Sequence, residues 1–105
     1  MKSLRSPQRK PTHPGAVIRE DVLPALKMTQ AAFAAHLGVS RLTVSELLLE
    51  KRTLTAEMAL RLATVLHTTP ESWLRMQEAL DLWRLKQTPE RFSTLKPIDP
   101  ELLAA

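Results

Sequence analysis

The chain has 105 residues, 44% of them hydrophobic and only two of them glycine, so it can form one domain around a single modest core. It has no cysteine, which excludes disulfides and thiolate metal sites, and no apolar run approaches the roughly 18 residues that a membrane helix needs. The formal net charge of +4 is unevenly placed: residues 1–52 hold nine Lys/Arg against four Asp/Glu (+5), and residues 53–105 hold six against seven (−1).

The N-terminal part of the chain predicts a basic arm followed by a first helix. Residues 1–12 form the arm, which lacks the apolar core of a signal peptide, so we expect a cytoplasmic protein. The first helix begins at Pro14, because proline suits a first helical turn. It is expected to end near Leu23, because Pro24 cannot continue the hydrogen-bond ladder.

The second and third helices are predicted close together. The second covers about residues 30–37, with Thr29 as its N-cap and Gly38 as the left-handed residue that ends it. The third begins after the N-cap Ser40. Both are short, and the turn between them is tight.

The third helix has an apolar face and an exposed face. At about 100° per residue, Val44, Leu47 and Leu48 fall together and are typical of a core. Leu42 and Leu49 fall on the opposite side, with Ser45 and Glu46. Two of the four leucines in this stretch are therefore expected to be buried, and two to point outward.

The rest of the chain predicts two more helices and a tail. A fourth helix follows the N-cap Thr55, and a fifth begins at the TPE sequence of residues 69–71 and runs to about Lys86. Residues 87–105 contain three prolines and predict a C-terminal tail, with one helical turn from Asp99. Since apolar residues recur every three to four positions without β-branched alternation, the predicted fold class is all-α with five helices.

Two short helices joined by the tight turn LGVS predict a helix-turn-helix, whose second helix enters the major groove of DNA by its N-terminal residues. The small Ala34 and Ala35 favour close approach of the two helices. A bare helical corner also occurs in proteins that bind no nucleic acid, and a basic surface can serve solubility alone. Together, the corner and the basic first half favour double-stranded DNA as a partner.

The same residues resemble a known family. The segment TQAAFAAHLGVSRLTVSELL is similar to the lambda-repressor-like (Xre) helix-turn-helix. With HPGAVIREDVLPAL before it and LTAEMALRLATVLHTTPESWLRMQEALDLWRL after it, the chain resembles HigA-type antitoxins of bacterial type II toxin–antitoxin operons over about residues 12–86. The resemblance implies a lambda-repressor-like domain over residues 13–86 and a homodimer that binds operator DNA and represses its own operon. It also implies a HigB-type toxin partner, of RelE-like fold and cleaving mRNA, which the protein neutralises by direct binding.

One stretch departs from the family pattern. Leu49-Glu50-Lys51-Arg52 stands where members usually have Asn-Gly followed by Lys or Arg. Without the glycine, the third helix is expected either to extend further or to end in a strained residue.

The candidate DNA contacts lie around the third helix. Arg41 can fork onto guanine or bind a phosphate, Leu42 can contact a thymine methyl group, and Glu46 can accept from cytosine N4 or pair with Lys or Arg. The predicted base-reading residues are Arg41, Leu42, Ser45 and Glu46. The predicted phosphate-binding residues are Gln30, Ser40, Thr43, Lys51 and Arg52.

The fifth helix carries apolar residues on two faces. Trp73, Met76, Leu80 and Trp83 form one stripe. Leu74, Leu82 and Leu85 fall roughly opposite and predict dimerisation with a second copy. The alternative is a fifth helix buried beneath the C-terminal tail. Toxin contacts are left open between the first helix with its arm (Arg19, Glu20) and the tail (Arg91, Phe92, Leu95).

The sequence offers no base, nucleophile or metal cluster at working spacing, so we expect no enzyme, no metal, no cofactor and no small-molecule substrate. Two alternatives to an antitoxin-repressor stay open. One is a stand-alone, phage-repressor-like regulator of the Xre family without a toxin partner. The other is a toxin-binding module whose DNA-reading helix has degenerated, as the outward leucines would suit.

Overall fold

A computed structural model describes residues 9–104 of the chain, and this part is helical throughout, with no strand. Residues 1–8 of the predicted basic arm and Ala105 lie outside the described residues. The all-α prediction is confirmed, with a sixth, single-turn helix in the tail. The helices are α1, made of Pro14–Val17, a π turn Ile18–Val22 and Leu23–Leu26, then α2 Gln30–Leu37, α3 Arg41–Leu48, α4 Ala56–Leu66, α5 Pro70–Lys86, a 3-10 turn Pro89–Phe92, and α6 Pro100–Leu103.

Helix α1 continues past Pro24, so the predicted end near Leu23 is wrong. In a regular α-helix the proline ring collides with the carbonyl four residues earlier. Here the preceding turn is a π turn, in which the Leu23 N–H bonds to the carbonyl of Ile18. This wider turn accommodates the proline, and the helix ends only where Lys27 adopts a left-handed conformation with φ 52°.

Helices α2 to α5 each begin at a threonine or serine N-cap, at the positions that the sequence predicts. Each N-cap hydroxyl accepts a hydrogen bond from the backbone N–H three residues later, which satisfies an N–H that the helix itself leaves unpaired. The pairs are Thr29 with Ala32 (3.1 Å), Ser40 with Thr43 (3.0 Å), Thr55 with Met58 (3.2 Å) and Thr69 with Ser72 (3.3 Å). Gly38 ends α2 at φ 69°, also as predicted.

The hydrophobic core lies where the first five helices meet. Each helix contributes buried side chains, among them Ile18, Phe33, Leu47, Leu62 and Trp73. Fully burying a side chain of this size contributes about 1.5–3 kcal/mol, so these residues account for much of the stability that holds α3 in place.

The tail beyond Lys86 adds little to this core. Its apolar side chains Phe92, Leu95, Ile98 and Leu102 are exposed. Leu82 and Leu85 on α5 are exposed as well, so the described tail does not bury that helix. No helix in residues 9–104 is long and apolar enough to cross a membrane.

Candidate nucleic-acid interface

The two faces of α3 are separated as the helical wheel predicts. Val44 and Leu47 are each 1% exposed, and Leu48 is buried beside them. Leu42 and Leu49 are 68% and 57% exposed on the other side. The core therefore anchors α3 from behind and leaves its opposite face to solvent.

The predicted base-reading residues share this outer face. Arg41 and Leu42 in the first turn are exposed, and Ser45 and Glu46 one turn later are half-buried. The four side chains fall within less than half of the helix circumference, because residues three and four apart lie on the same side. They form a narrow mixed surface that combines a cation, a methyl-rich side chain, a hydroxyl and a carboxylate.

Three of the predicted phosphate-binding residues lie at helix starts. Gln30 is exposed at the first position of α2, where backbone N–H groups point outward and attract anions. Ser40 caps α3, and its hydroxyl lies 2.9 Å from that of Thr43. One of the two hydroxyls donates its proton in this contact, so the other keeps its O–H free to donate to a phosphate oxygen.

Helix α3 ends in a strained residue, which is the second of the two outcomes expected for the missing glycine. Glu50 is left-handed with φ 62°. The N–H of Glu50 bonds to the Leu47 carbonyl at 3.0 Å, and that of Lys51 to the Glu46 carbonyl at 2.9 Å. These two bonds form a Schellman motif, in which glutamate replaces the usual glycine.

The turn after α3 directs Arg52 back toward the outer face. Its guanidinium donates a hydrogen bond to Oε1 of Glu46 at 2.8 Å. The two side chains form an ion pair on the predicted DNA-binding surface, which is the second option raised for Glu46. Lys51 is exposed, and among the described residues its side chain forms no hydrogen bond or ion pair.

His13 anchors this turn, although in the sequence it is a lone histidine to which no role was assigned. It is buried, its Nδ1 accepts the Gly15 N–H at 2.9 Å, and its Nε2 lies 3.1 Å from the carbonyl oxygen of Arg52. A carbonyl can only accept, so Nε2 carries the proton and the ring is neutral. Burial lowers the pKa of His13 below its ordinary value of 6.5 and favours this neutral form. One feature of the sequence could have predicted this role: His13 stands directly before Pro-Gly at a helix start, where an N-cap is needed.

Gly15 brings the start of α1 directly against the backbone of α3. A Cβ atom at this position would lie 1.9 Å from the carbonyl oxygen of Leu47. Real Cβ atoms do not approach that closely, so only glycine permits this contact. The HPG sequence thus docks α1 on the carboxyl end of α3, the helix that is predicted to read DNA.

Arg19 caps the same end of α3. Its Nη1 donates to the Leu48 carbonyl at 2.6 Å and lies 3.3 Å from Oε2 of Glu50. A cation at a helix C-terminus satisfies unpaired carbonyls and interacts favourably with the helix dipole. Arg19 is also one of the candidate toxin contacts, and that role stays a prediction; within the chain, its half-buried guanidinium holds α3.

Gln77 on α5 holds the following segment. It is buried, its Oε1 accepts the Leu54 N–H at 2.9 Å, and its Nε2 donates to Asp81 at 2.9 Å. Arg61 on α4 similarly donates to the carbonyl of Leu37 at 2.8 Å, at the end of α2. Side chains from α1, α4 and α5 therefore position both helices of the corner and the turn that carries Lys51 and Arg52.

The predicted dimerisation residues divide into two groups. Leu82 and Leu85 are exposed, whereas Leu74 is half-buried and packs against the core. Trp73 and Leu80, on the opposite stripe of α5, are buried.

No group of His, Asp or Glu side chains in residues 9–104 is arranged to hold a metal ion.

Comparisons with known proteins agree with this geometry. The helix-turn-helix family model (HTH_3) matches residues 18–74. An uncharacterized HTH-type transcriptional regulator of Haemophilus influenzae is 37% identical over 90% of this chain and 88% of its own length. Antitoxin HigA-1 of Vibrio cholerae is 36% identical over 90% of this chain and 90% of its own length. Among solved structures, antitoxin GraA in complex with its operator has a TM-score of 0.78 and 36% identity, and the match covers 94% of this chain and 98% of that one.

Proposed function

Because the chain belongs to the Xre-type helix-turn-helix family, and within it to the HigA-type antitoxins, we propose that it represses its own operon and neutralises a toxin by direct binding. The main support for DNA binding is the solvent-exposed face of α3. Val44 and Leu47 on the opposite face are buried in the core and hold the helix in this orientation. An antitoxin of the same fold, GraA, has been solved with its operator, which supports this assignment.

In the proposed complex the first turns of α3 enter the major groove. Arg41 forks onto guanine O6 and N7, Leu42 contacts a thymine methyl group, and Ser45 and Glu46 contact neighbouring base edges. Phosphates on either side are held by residues at the start of α2, at the start of α3 and in the turn after it. These are Gln30, Ser40, Thr43, Lys51 and Arg52.

We also propose that the protein binds DNA as a homodimer. The exposed leucines Leu82 and Leu85 on α5 provide an apolar surface for a second copy. A two-fold dimer places the two α3 helices at half-sites about 34 Å apart. Leu74 contributes less to such a contact, because it packs partly on its own core.

The toxin partner in this proposal is a HigB-type, RelE-like mRNA-cleaving protein. Its support is the match to antitoxin HigA-1 over most of both chains. The second candidate function is a stand-alone regulator without a toxin, favoured by the relative from Haemophilus influenzae that is named only as a transcriptional regulator. Co-expression with the neighbouring reading frame separates the two, because only an antitoxin co-purifies with that product and relieves its toxicity.

DNA binding is tested by gel shifts with the promoter of the protein's own gene. We expect retardation at low salt and an affinity that falls linearly on a log–log plot as salt rises. Arg41→Ala should weaken specific binding by about 1–3 kcal/mol. Arg75→Ala, an exposed arginine on α5, is the matched control and should leave binding unchanged. Absence of retardation at low salt, or equal effects of the two changes, would contradict the proposal.

A further inference from the structure

We propose that Glu46 and Arg52 act as one specificity-determining unit, in which Arg52 positions the Glu46 carboxylate to accept a hydrogen bond from the amino group of a cytosine. Arg52 is then a positioning residue for base recognition, and this role replaces the phosphate contact proposed for it above. This inference rests on the proposed DNA-binding function and assigns the base that one part of the surface selects.

The ion pair lies on the surface that faces DNA in that proposal. The Arg52 Nη2 and Glu46 Oε1 atoms are 2.8 Å apart, and the side chains are 44% and 36% exposed. Glu46 lies one helical turn after Leu42, on the same face of α3. The pair is therefore accessible to a ligand in the groove and is not part of the core.

The backbone of Arg52 is held in place, so the pair is more than a chance contact of two long side chains. Its carbonyl accepts a hydrogen bond from the buried His13, and the Lys51 N–H just before it bonds to the carbonyl of Glu46 itself. The left-handed Glu50 makes this return of the chain possible. Arg52 thus starts from a defined position beside the residue it pairs with.

The charges explain why the two residues belong together. A single carboxylate facing DNA is repelled by phosphates and weakens binding to every sequence. Pairing with Arg52 neutralises that charge and uses Oε1, so Oε2 remains as an acceptor. Among the base edges of the major groove, cytosine presents only the N4 donor, whereas guanine and thymine present acceptors that repel a carboxylate. Adenine also presents a donor, at N6, but beside the N7 acceptor, which repels a carboxylate. The paired Glu46 therefore favours cytosine most.

A double-mutant cycle tests the coupling. The four proteins are the wild type, E46Q, R52A and E46Q/R52A, each measured for affinity to the operator. We expect R52A to weaken binding about tenfold when Glu46 is present, because it leaves an unpaired carboxylate, and less than about twofold in the E46Q background. Lys51→Ala is the control and should weaken binding equally in both backgrounds, as a simple phosphate contact does.

Base selection is tested by enrichment from a library in which one operator half-site is randomised. The wild type should enrich cytosine at one position. E46Q should lose that preference and shift it toward adenine, because a glutamine amide pairs with adenine N6 and N7. Both changes are at partly exposed positions, and thermal unfolding of each variant verifies that the fold is retained.

Three outcomes would overturn the inference. The first is an equal loss of affinity on R52A with Glu46 present and in the E46Q background; if the salt slope also falls by about 1, Arg52 is a direct phosphate contact. An unchanged base preference in E46Q would show that Glu46 reads no base. A wild type that binds no promoter DNA would refute the proposed function and this inference with it, whereas binding with additive effects refutes the inference alone.

Discussion

At the scale of single residues, α3, the proposed DNA-reading helix, is held by two positions outside its predicted DNA-binding face. Gly15 allows α1 to touch the backbone of Leu47, and His13 bonds to the carbonyl of Arg52. Both belong to the HPG start of α1, and both contacts fall on the end of α3 or the turn after it. A change at either position should therefore act on stability first and on DNA binding through α3.

Gly15→Ala should destabilise the fold by about 1–3 kcal/mol, because the added Cβ forces α1 away from the Leu47 carbonyl in a packed interior. The measurement is the midpoint of urea unfolding. Gly38→Ala is the matched control, since its Cβ meets only the end of the flexible Arg61 side chain at 3.1 Å. That change should cost about 1 kcal/mol, from its left-handed backbone alone. Equal losses at the two glycines would argue against a steric role for Gly15.

His13 predicts a loss of stability in mild acid. Burial lowers the pKa of the folded-state imidazole below 6.5, so the unfolded chain binds the proton first as pH falls. The contribution of His13 is complete above the unfolded pKa of about 6.5, falls as pH drops toward the folded pKa, and levels off below it. Urea unfolding at about pH 7.5 and 5.5 measures the difference.

His13→Asn is the control for that titration. Asparagine still offers an oxygen to the Gly15 N–H as an N-cap but carries no proton in this range. All other titratable groups remain, so the difference between the two pH profiles reports His13 alone. If the variant loses as much stability between the two pH values as the wild type, another group is responsible.

At the scale of helices and turns, three helix ends within residues 9–104 use non-glycine residues in the left-handed conformation. They are Lys27, Glu50 and His67, with φ of 52°, 62° and 57°. An L-residue pays about 1–2 kcal/mol in this region. At Glu50 the side chain reaches Arg19 and the turn carries Lys51 and Arg52, so the strain coincides with the candidate site. Lys27 is exposed, and within residues 9–104 its side chain forms no hydrogen bond or ion pair.

Lys27→Gly should therefore stabilise the protein by about 0.5–1 kcal/mol. Relief of the left-handed strain outweighs the additional backbone entropy that glycine gives the unfolded chain. The thermal unfolding midpoint should rise. Lys27→Ala keeps the strain while removing the charge, and it should leave the midpoint nearly unchanged. A gain of the same size with alanine would assign the effect to charge rather than to backbone conformation.

At the scale of the whole molecule, one face of α5 closes the core and the other is left to solvent. Trp73 and Leu80 are buried, whereas Leu82 is 47% exposed. If that face pairs two copies, affinity for a full operator reflects two linked half-site contacts. In the proposed dimer, α5 would thus affect DNA binding by holding the two half-site contacts together.

Leu82→Glu should produce a monomer that remains folded, because it adds charge to an exposed position. Sedimentation equilibrium should show the change in mass, and affinity for the full operator should fall by about a hundredfold while half-site binding is retained. Leu60→Glu on α4, at a position 57% exposed, is the matched control and should leave the dimer intact. A wild type that sediments as a monomer, or an L82E variant that stays dimeric, would contradict this interface.

Features that depend on residues close together in the chain could be predicted from the sequence alone. Four N-caps, the end of α2 at Gly38 and the two faces of α3 involve neighbours within about one helical turn, so local chemistry and periodicity suffice to predict them. The continuation of α1 past Pro24 could not be predicted from the sequence. Proline is unfavourable in a regular α-helix, but the π turn before Pro24 changes the hydrogen-bond pattern. The roles of the candidate DNA contacts stay predictions.

The tertiary structure alone decided how the predicted site is held together. His13 meets Arg52 across 39 positions, Arg19 meets Leu48 across 29, and Gln77 meets Leu54 across 23. No periodicity relates residues so far apart, because their contact depends on how whole helices pack. The sequence was also compatible with a longer α3. That α3 ends at a left-handed Glu50, and that Arg52 therefore pairs with Glu46, depends on this packing.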